Sequence, residues 1–331
     1  MNIKKTTFKG IPGCFRVASG DVEIVVTTEF GPRILYLGRK GGVNHLAVFE
    51  EDLKNPDKEA YLHYGGHRLW HAPEAAERTY VPANDKVEVK IDEKMGVIML
   101  TAPVEALTGL QKVIIIKPDE EPGNFVILHR IFNRSPFAVE LSAWAITMLA
   151  PGGLVVIPNS ESENGYCANR ALSLWKYSKL NDPRVYLGDG YVAVTNDAKT
   201  EAPFKIGSTV DDCFACYFNH GELFVKYFPF VSDKYPSYDC NFETYTCRAF
   251  SELESLSPLT KIEPGDFAEH MELWELHPDI ERPDPRDEEA ICEILDDLRF
   301  EDECEDEDCD CHDHGHDDDC GCGQEHGHKH K

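Results

Sequence analysis

The 331-residue chain reads as an all-β protein made of antiparallel strands, and three observations predict it. Short apolar runs rich in Val, Ile, Tyr and Phe recur at least a dozen times over the first 280 residues. Gly, Pro, Asn and Asp separate these runs, the punctuation expected between strands. Only two segments carry helical periodicity, so the repeated helices that parallel βαβ crossovers need are missing.

The series opens with DVEIVVTTEFGP and RILYLGRKGG, continues through KVEVKIDEKMG, VIMLTAP, KVIIIKPDEEPG and NFVILHRIFNRSP, and reaches AVELSAWAITMLAPGG by residue 153. YVAVTND, DDCFACYFNHG, ELFVKYFPF, NFETYTCRAF and AEHMELWEL extend it to residue 276. PEAAER (73–78) predicts one or two helical turns. Arg286 to Phe300 predicts an amphipathic helix, because Ile291, Ile294, Leu295 and Leu298 recur at i, i+3, i+4 and i+7. Cys213 and Cys216, three apart within a strand, face opposite sides and predict core thiols rather than a metal pair. The chain divides into a β-sandwich domain over 1–280, a linker and helix over 281–300, and a tail over 301–331.

Charge is unevenly spread. Sixty Asp and Glu against 33 Lys and Arg give a net −27, which disfavours phosphate backbones and anionic lipid surfaces as partners. No run approaches the roughly 18 to 20 apolar residues that span a bilayer. The N-terminal MNIKKTTFKGIPGCF lacks an apolar signal core, so a cytoplasmic protein is expected, with its 12 cysteines as thiols or metal ligands rather than disulfides. Residues 301–331 hold thirteen acids, five Cys and six His without one Leu, Ile, Val or aromatic residue, which predicts disorder. Cys304, Cys309, Cys311, His312, His314, His316, Cys320, Cys322, His326, His328 and His330 are the expected metal ligands. Thiolate and imidazole suit Zn, Ni, Co or Cu(I). No cofactor is expected for the β-domain.

Within the body, the densest polar cluster is YLHYGGHRLWHAPE (61–74). Aromatic faces beside Arg and His donors suit a sugar, and the Gly65-Gly66 pair lets backbone approach a ligand closely. FSELES (250–255) reads as a strand that projects Arg248, Glu252 and Glu254 from one face, where two carboxylates near a guanidinium could supply a general base.

These segments together carry a resemblance. Phe30-Gly31-Pro32-Arg33-Ile34, YGGHRLWHAPE, the Leu-Ser-Ala-Trp-Ala strand ending in Ala150-Pro151-Gly152-Gly153, SELESLSPL and EPGDFAEHMELWEL are similar to the uncharacterised aldose-epimerase-like families of the galactose mutarotase-like superfamily, over residues 10 to 277. The resemblance implies a β-supersandwich with a carbohydrate cleft on its concave face. It implies Glu254 as the base that takes the anomeric proton. The family's catalytic His falls on Trp144, and indole delivers no proton at neutral pH. Either His67 or His71 then supplies the acid, or the protein binds sugars without mutarotation. Arg33, Arg68 and Glu252 would hold hydroxyls or a phosphate, and Trp144 would stack on the ring. The expected partners are a carbohydrate or sugar phosphate and transition-metal ions. A metal-storage or metallochaperone role, with the β-domain as scaffold, is the third reading.

Overall fold

The computed structural model describes residues 2–55, 57, 59–163 and 165–303. Two antiparallel sheets account for the strands among them. The large sheet runs in the order β1 (Asn2–Phe8), β2 (Ile11–Ser19), β3 (Val22–Thr27), β4 (Arg33–Arg39), β5 (His67–Ala72), β10 (Val139–Leu149), β19 (Phe250–Leu256), β18 (Phe242–Cys247), β15 (Phe204–Ser208) and β12 (Leu172–Leu174), with β20 (Thr260–Ile262) also pairing with β10. The second sheet runs β13 (Val185–Leu187), β14 (Tyr191–Thr195), β11 (Leu154–Pro158), β16 (Phe214–Asn219), β17 (Glu222–Tyr227), β21 (Phe267–Pro278), β9 (Phe125–Asn133), β8 (Leu110–Pro118), β7 (Val97–Thr101) and β6 (Glu88–Asp92).

Strand periodicity explains how the two sheets share one core. Along β11 and β14, Val155, Ile157, Val192 and Val194 join the main cluster with Ile34, Leu69, Ala143 and Leu253 of the large sheet. Their alternate neighbours, Leu154, Val156, Tyr191 and Ala193, face outward and would be wet if left bare. Helix α2 (Glu288–Glu303) covers them with Ile291, Leu295 and Leu298, three of the residues whose spacing predicted it.

The other helical segment goes no further than the first of the one or two turns expected of it. PEAAER closes a single turn, in which Thr79 N–H donates to Ala75 O and the Thr79 hydroxyl accepts from Ala75 N–H. A four-residue helix, α1 (Glu50–Leu53), precedes it. Among the described residues no helix is long and apolar enough to cross a membrane. Cys14, Cys167, Cys216, Cys240, Cys247 and Cys292 are free thiols.

Because Leu295 is fully buried under the second sheet, Leu295→Ala should destabilise the fold by about 2 to 5 kcal/mol, read as a lower urea midpoint at unchanged slope. A loss below about 0.5 kcal/mol would show that α2 does not cap the sheet in solution.

Candidate functional site

Register alone gathers the charges on the outer face of the large sheet. Arg33 pairs with Arg68, Arg68 with Ile146, Ile146 with Glu254, and Glu254 with Glu243, so one cross-strand row crosses five strands. Directly opposed residues in antiparallel strands point to the same side, which puts these side chains together. In the next row Trp70 opposes Trp144. Gly207 opposes Glu243 and offers no side chain, and Lys205, two residues earlier, leans across into the gap.

Lys205 is the hub of this face. Its Nζ lies 2.6 Å from Glu243 Oε2 and 2.8 Å from Glu254 Oε2, and 4.7 Å from the ring centroids of both Trp144 and Trp175. Arg68 makes the second pair, 3.2 Å from Glu252 Oε1 and 4.3 Å over the Trp70 ring. Glu243 and Glu254 thus share a single cation, an arrangement that favours one retained proton between them. Burial pushes the Glu254 carboxyl up to about 8, against the pull of Lys205 and with the help of Glu252 and Glu243. Burial also raises Glu252, opposed by Arg68. For Lys205 burial works the other way, but Glu243 and Glu254 outweigh it and hold the ammonium firmly charged.

Five buried polar atoms on or beside this face have no hydrogen-bond partner: Arg33 Nε, Tyr61 Oη, Arg68 Nε, Trp144 Nε1 and Glu254 Oε1. Such atoms are rare in folded proteins and are costly unless something meets them. Trp144 alone of these residues lines a cleft of about 220 Å³, which Glu74, Trp175, Ser237 and Glu243 complete; Glu254 is joined to it through Lys205 and Glu243. At about 30 Å³ per water it has the volume of roughly seven waters. A larger cavity, of about 440 Å³, lies beyond Trp70 against Arg33, Arg68 and Tyr80 and lacks the acid cluster.

Comparison with solved structures gives a consistent picture. The Slr1438 protein from Synechocystis sp. PCC 6803 superposes with a TM-score of 0.55 at 13% identity, over 83% of this chain and 99% of that one. A galactose mutarotase-like protein from Clostridium acetobutylicum gives 0.54 at 13% identity, over 84% and 99%. Another from Lactobacillus casei ATCC 334 gives 0.51 at 10% identity, over 80% and 100%. The fold is galactose mutarotase-like. No family model matches the chain, and no curated protein does.

Within this galactose mutarotase-like fold, the predicted site residues part company. Arg33, Arg68, Trp144, Glu252 and Glu254 share the outer face of the large sheet. His67 and His71 do not, because β5 alternates: Arg68, Trp70 and Ala72 point out, while His67, Leu69 and His71 point into the sandwich. Both histidines are buried and lie on the far side of the sheet from Glu254, so the acid role expected of one of them has no geometry here. Arg248 also leaves the cluster, pairing instead with Glu201 at the surface. Lys205, Glu243 and Trp175 were missed by sequence reasoning; the first two are lone charges in apolar strands, a signal of a special partner.

The interior holds a second polar cluster. His129 Nδ1–H donates to His270 O at 3.1 Å, leaving its Nε2 to accept from His67 Nε2–H at 2.7 Å, and His67 Nδ1 then accepts from the Thr147 hydroxyl at 2.9 Å. Glu272 meets Lys226 at 2.7 Å, the Ser255 hydroxyl at 2.5 Å and Trp274 Nε1 at 2.8 Å. Burial would raise Glu272, but Lys226 together with His67, His129 and His270 holds it well below the usual carboxylate range, while burial lowers Lys226 itself.

This cluster corrects the expected division of metal chemistry. His67, His129 and Glu272 place their ligand atoms within 4.8 Å of one another inside the β-domain. The expectation of metal-binding groups on the tail alone, with none in the β-domain, is overturned. The tail ligands, Cys304 to His330, lie outside the described residues.

His71 offers a direct test of its placement. Neither ring nitrogen has a partner, and burial lowers its pKa to about 3, helped by Lys112 and Arg78. Below about pH 6.5 the unfolded chain takes a proton that the folded imidazole refuses, so its contribution to stability falls as pH drops from about 6.5 towards 3. His71→Leu should therefore raise Tm more at pH 5 than at pH 7.5. An equal shift at both pH values would place the ring in contact with water.

Proposed function

We propose that the outer face of the large sheet binds a single carbohydrate ring and exchanges protons with it in the manner of an aldose 1-epimerase, Glu254 serving in that exchange. The observation that carries this reading is a cleft walled by two tryptophans, one with an unpartnered Nε1, and lined by Glu243, which Lys205 joins to Glu254. Hydroxyls are the ligand groups that can both donate to the Glu243 carboxylate and accept from Trp144 Nε1, and indole faces suit the C–H side of a sugar ring. Trp144 then acts as stacking wall and donor, while Arg33 and Arg68 border the neighbouring larger cavity.

The charge balance favours an uncharged sugar over a sugar phosphate. Arg33 already donates to the carbonyls of His63 and Gly65, Arg68 meets Glu252, and Lys205 meets two carboxylates. A phosphate would have to break one of these pairs beside Glu74 and Glu243. A second reading, a non-catalytic carbohydrate-binding protein, is favoured by one observation: Trp144 stands where the family's proton-delivering histidine would, and His67 and His71 face away.

A thermal-shift screen of free aldoses and sugar phosphates should find stabilisation by uncharged monosaccharides, near 2.7 kcal/mol at a hundred times Kd. Silence across the whole panel would remove the carbohydrate reading. For any sugar that binds, magnetisation-transfer NMR should show faster anomer exchange, and Glu254→Gln should lower the rate at least 100-fold. Binding without acceleration would select the non-catalytic reading.

A further inference from the structure

A mutarotation needs two proton-handling groups, one to take the anomeric proton and one to protonate the ring oxygen. With His67 and His71 turned inward, the outer face must find the second group elsewhere. We infer that Glu243 is that group, and that Glu243 and Glu254, held on either side of Lys205, form the catalytic pair of this site. This rests on the carbohydrate reading above and names the residue which that reading leaves open.

The geometry carries it. Glu243 lines the cleft directly, between Trp144 and Ser237. The Ser237 hydroxyl donates to its Oε1 at 2.5 Å and Lys205 to its Oε2 at 2.6 Å, so the side chain is fixed at both oxygens. Glu254 takes the same ammonium through Oε2 and keeps Oε1 free of any partner. Since both carboxylates bond one nitrogen, their nearest oxygens stand no further apart than those two bonds laid end to end. The anomeric hydroxyl and the ring oxygen hang from one carbon, C1, so a pair this close can serve both.

The exchange balances without a co-reactant. The Glu243 carboxylate takes the proton of the anomeric hydroxyl; that O–H electron pair becomes the C1=O bond as the C1–O5 bond breaks. The electron pair of C1–O5 goes to the ring oxygen, which takes the proton of Glu254. Rotation about C1–C2 and the reverse transfers return both protons and yield the other anomer. The extra proton that the cluster retains starts on Glu254, whose surroundings are Lys205 from β15, Glu243 from β18, Glu252 on its own strand, Ile146 from β10, Tyr177 beyond β12 and Lys226 behind the sheet.

Steady-state anomer exchange with the full chain tests this, using the uncharged aldose that gives the largest thermal shift. Glu243→Gln should lower kcat at least 100-fold with KM changed less than about five-fold. Glu243→Asp keeps the charge and fold but retracts the carboxylate, and should also lose most of kcat. The wild-type rate should fall above about pH 8 as Glu254 loses its proton, and Glu254→Gln should abolish that limb as well as most of the rate. Near-normal kcat in both Glu243 variants overturns the pair while leaving the carbohydrate reading intact. Sugar binding with no acceleration by the wild-type protein overturns the pair and selects the non-catalytic reading. No binding at all overturns both.

Discussion

The pairing of β10 between β5 and β19 is the constraint on which the rest depends. It sets Arg68, Ile146 and Glu254 in one row and Trp70 and Trp144 in the next, all facing out. The same register drives His67, Thr147 and Ser255 inward, to meet His129, His270 and Glu272 of the opposing sheet. Side-chain period in a strand is two, so a slip of one residue would exchange the two populations. Carboxylates would enter the sandwich and imidazoles would line the cleft. Register therefore decides chemistry as well as packing.

That constraint also explains what the sequence revealed and what it hid. The strand runs, the punctuation between them and the α2 periodicity are local, and all three survive in the structure. The cluster at 61–74 was read by proximity in sequence, which favours grouping His67, Arg68 and His71. His67–Ala72 is a strand, and alternation splits that group between two faces. Lys205 and Glu243 are separated from Glu254 by 49 and 11 residues and reach it only through β15 and β18, pairings that no short pattern encodes. PEAAER had the composition of a helix, but the Thr79 hydroxyl closes it after one turn.

The two polar clusters differ in kind. The interior one is closed: every ring nitrogen of His67 and His129 has a partner, and Glu272 has three. Buried ion pairs of this sort add little net stability against an apolar alternative, yet breaking one partner is severe, because the other charge is stranded. The outer cluster is left open at Glu254 Oε1, Trp144 Nε1 and Arg68 Nε. Unpartnered atoms that gather around an open cleft leave the outer cluster with something still to meet.

Lys226 joins the two. From β17 of the second sheet its ammonium reaches the backbone carbonyls of Ala145 and Leu253, one residue from Trp144 and one from Glu254 respectively. The floor of the cleft is thus bolted from behind, at the two strands that carry its ring wall and its acid. A sandwich whose sheets met only through methyl groups could slide by small amounts under load. Here sliding would tear charged hydrogen bonds in a dry interior. The site therefore sits on a laminate rather than on a single ply, and its rigidity is a property of residues that never see solvent.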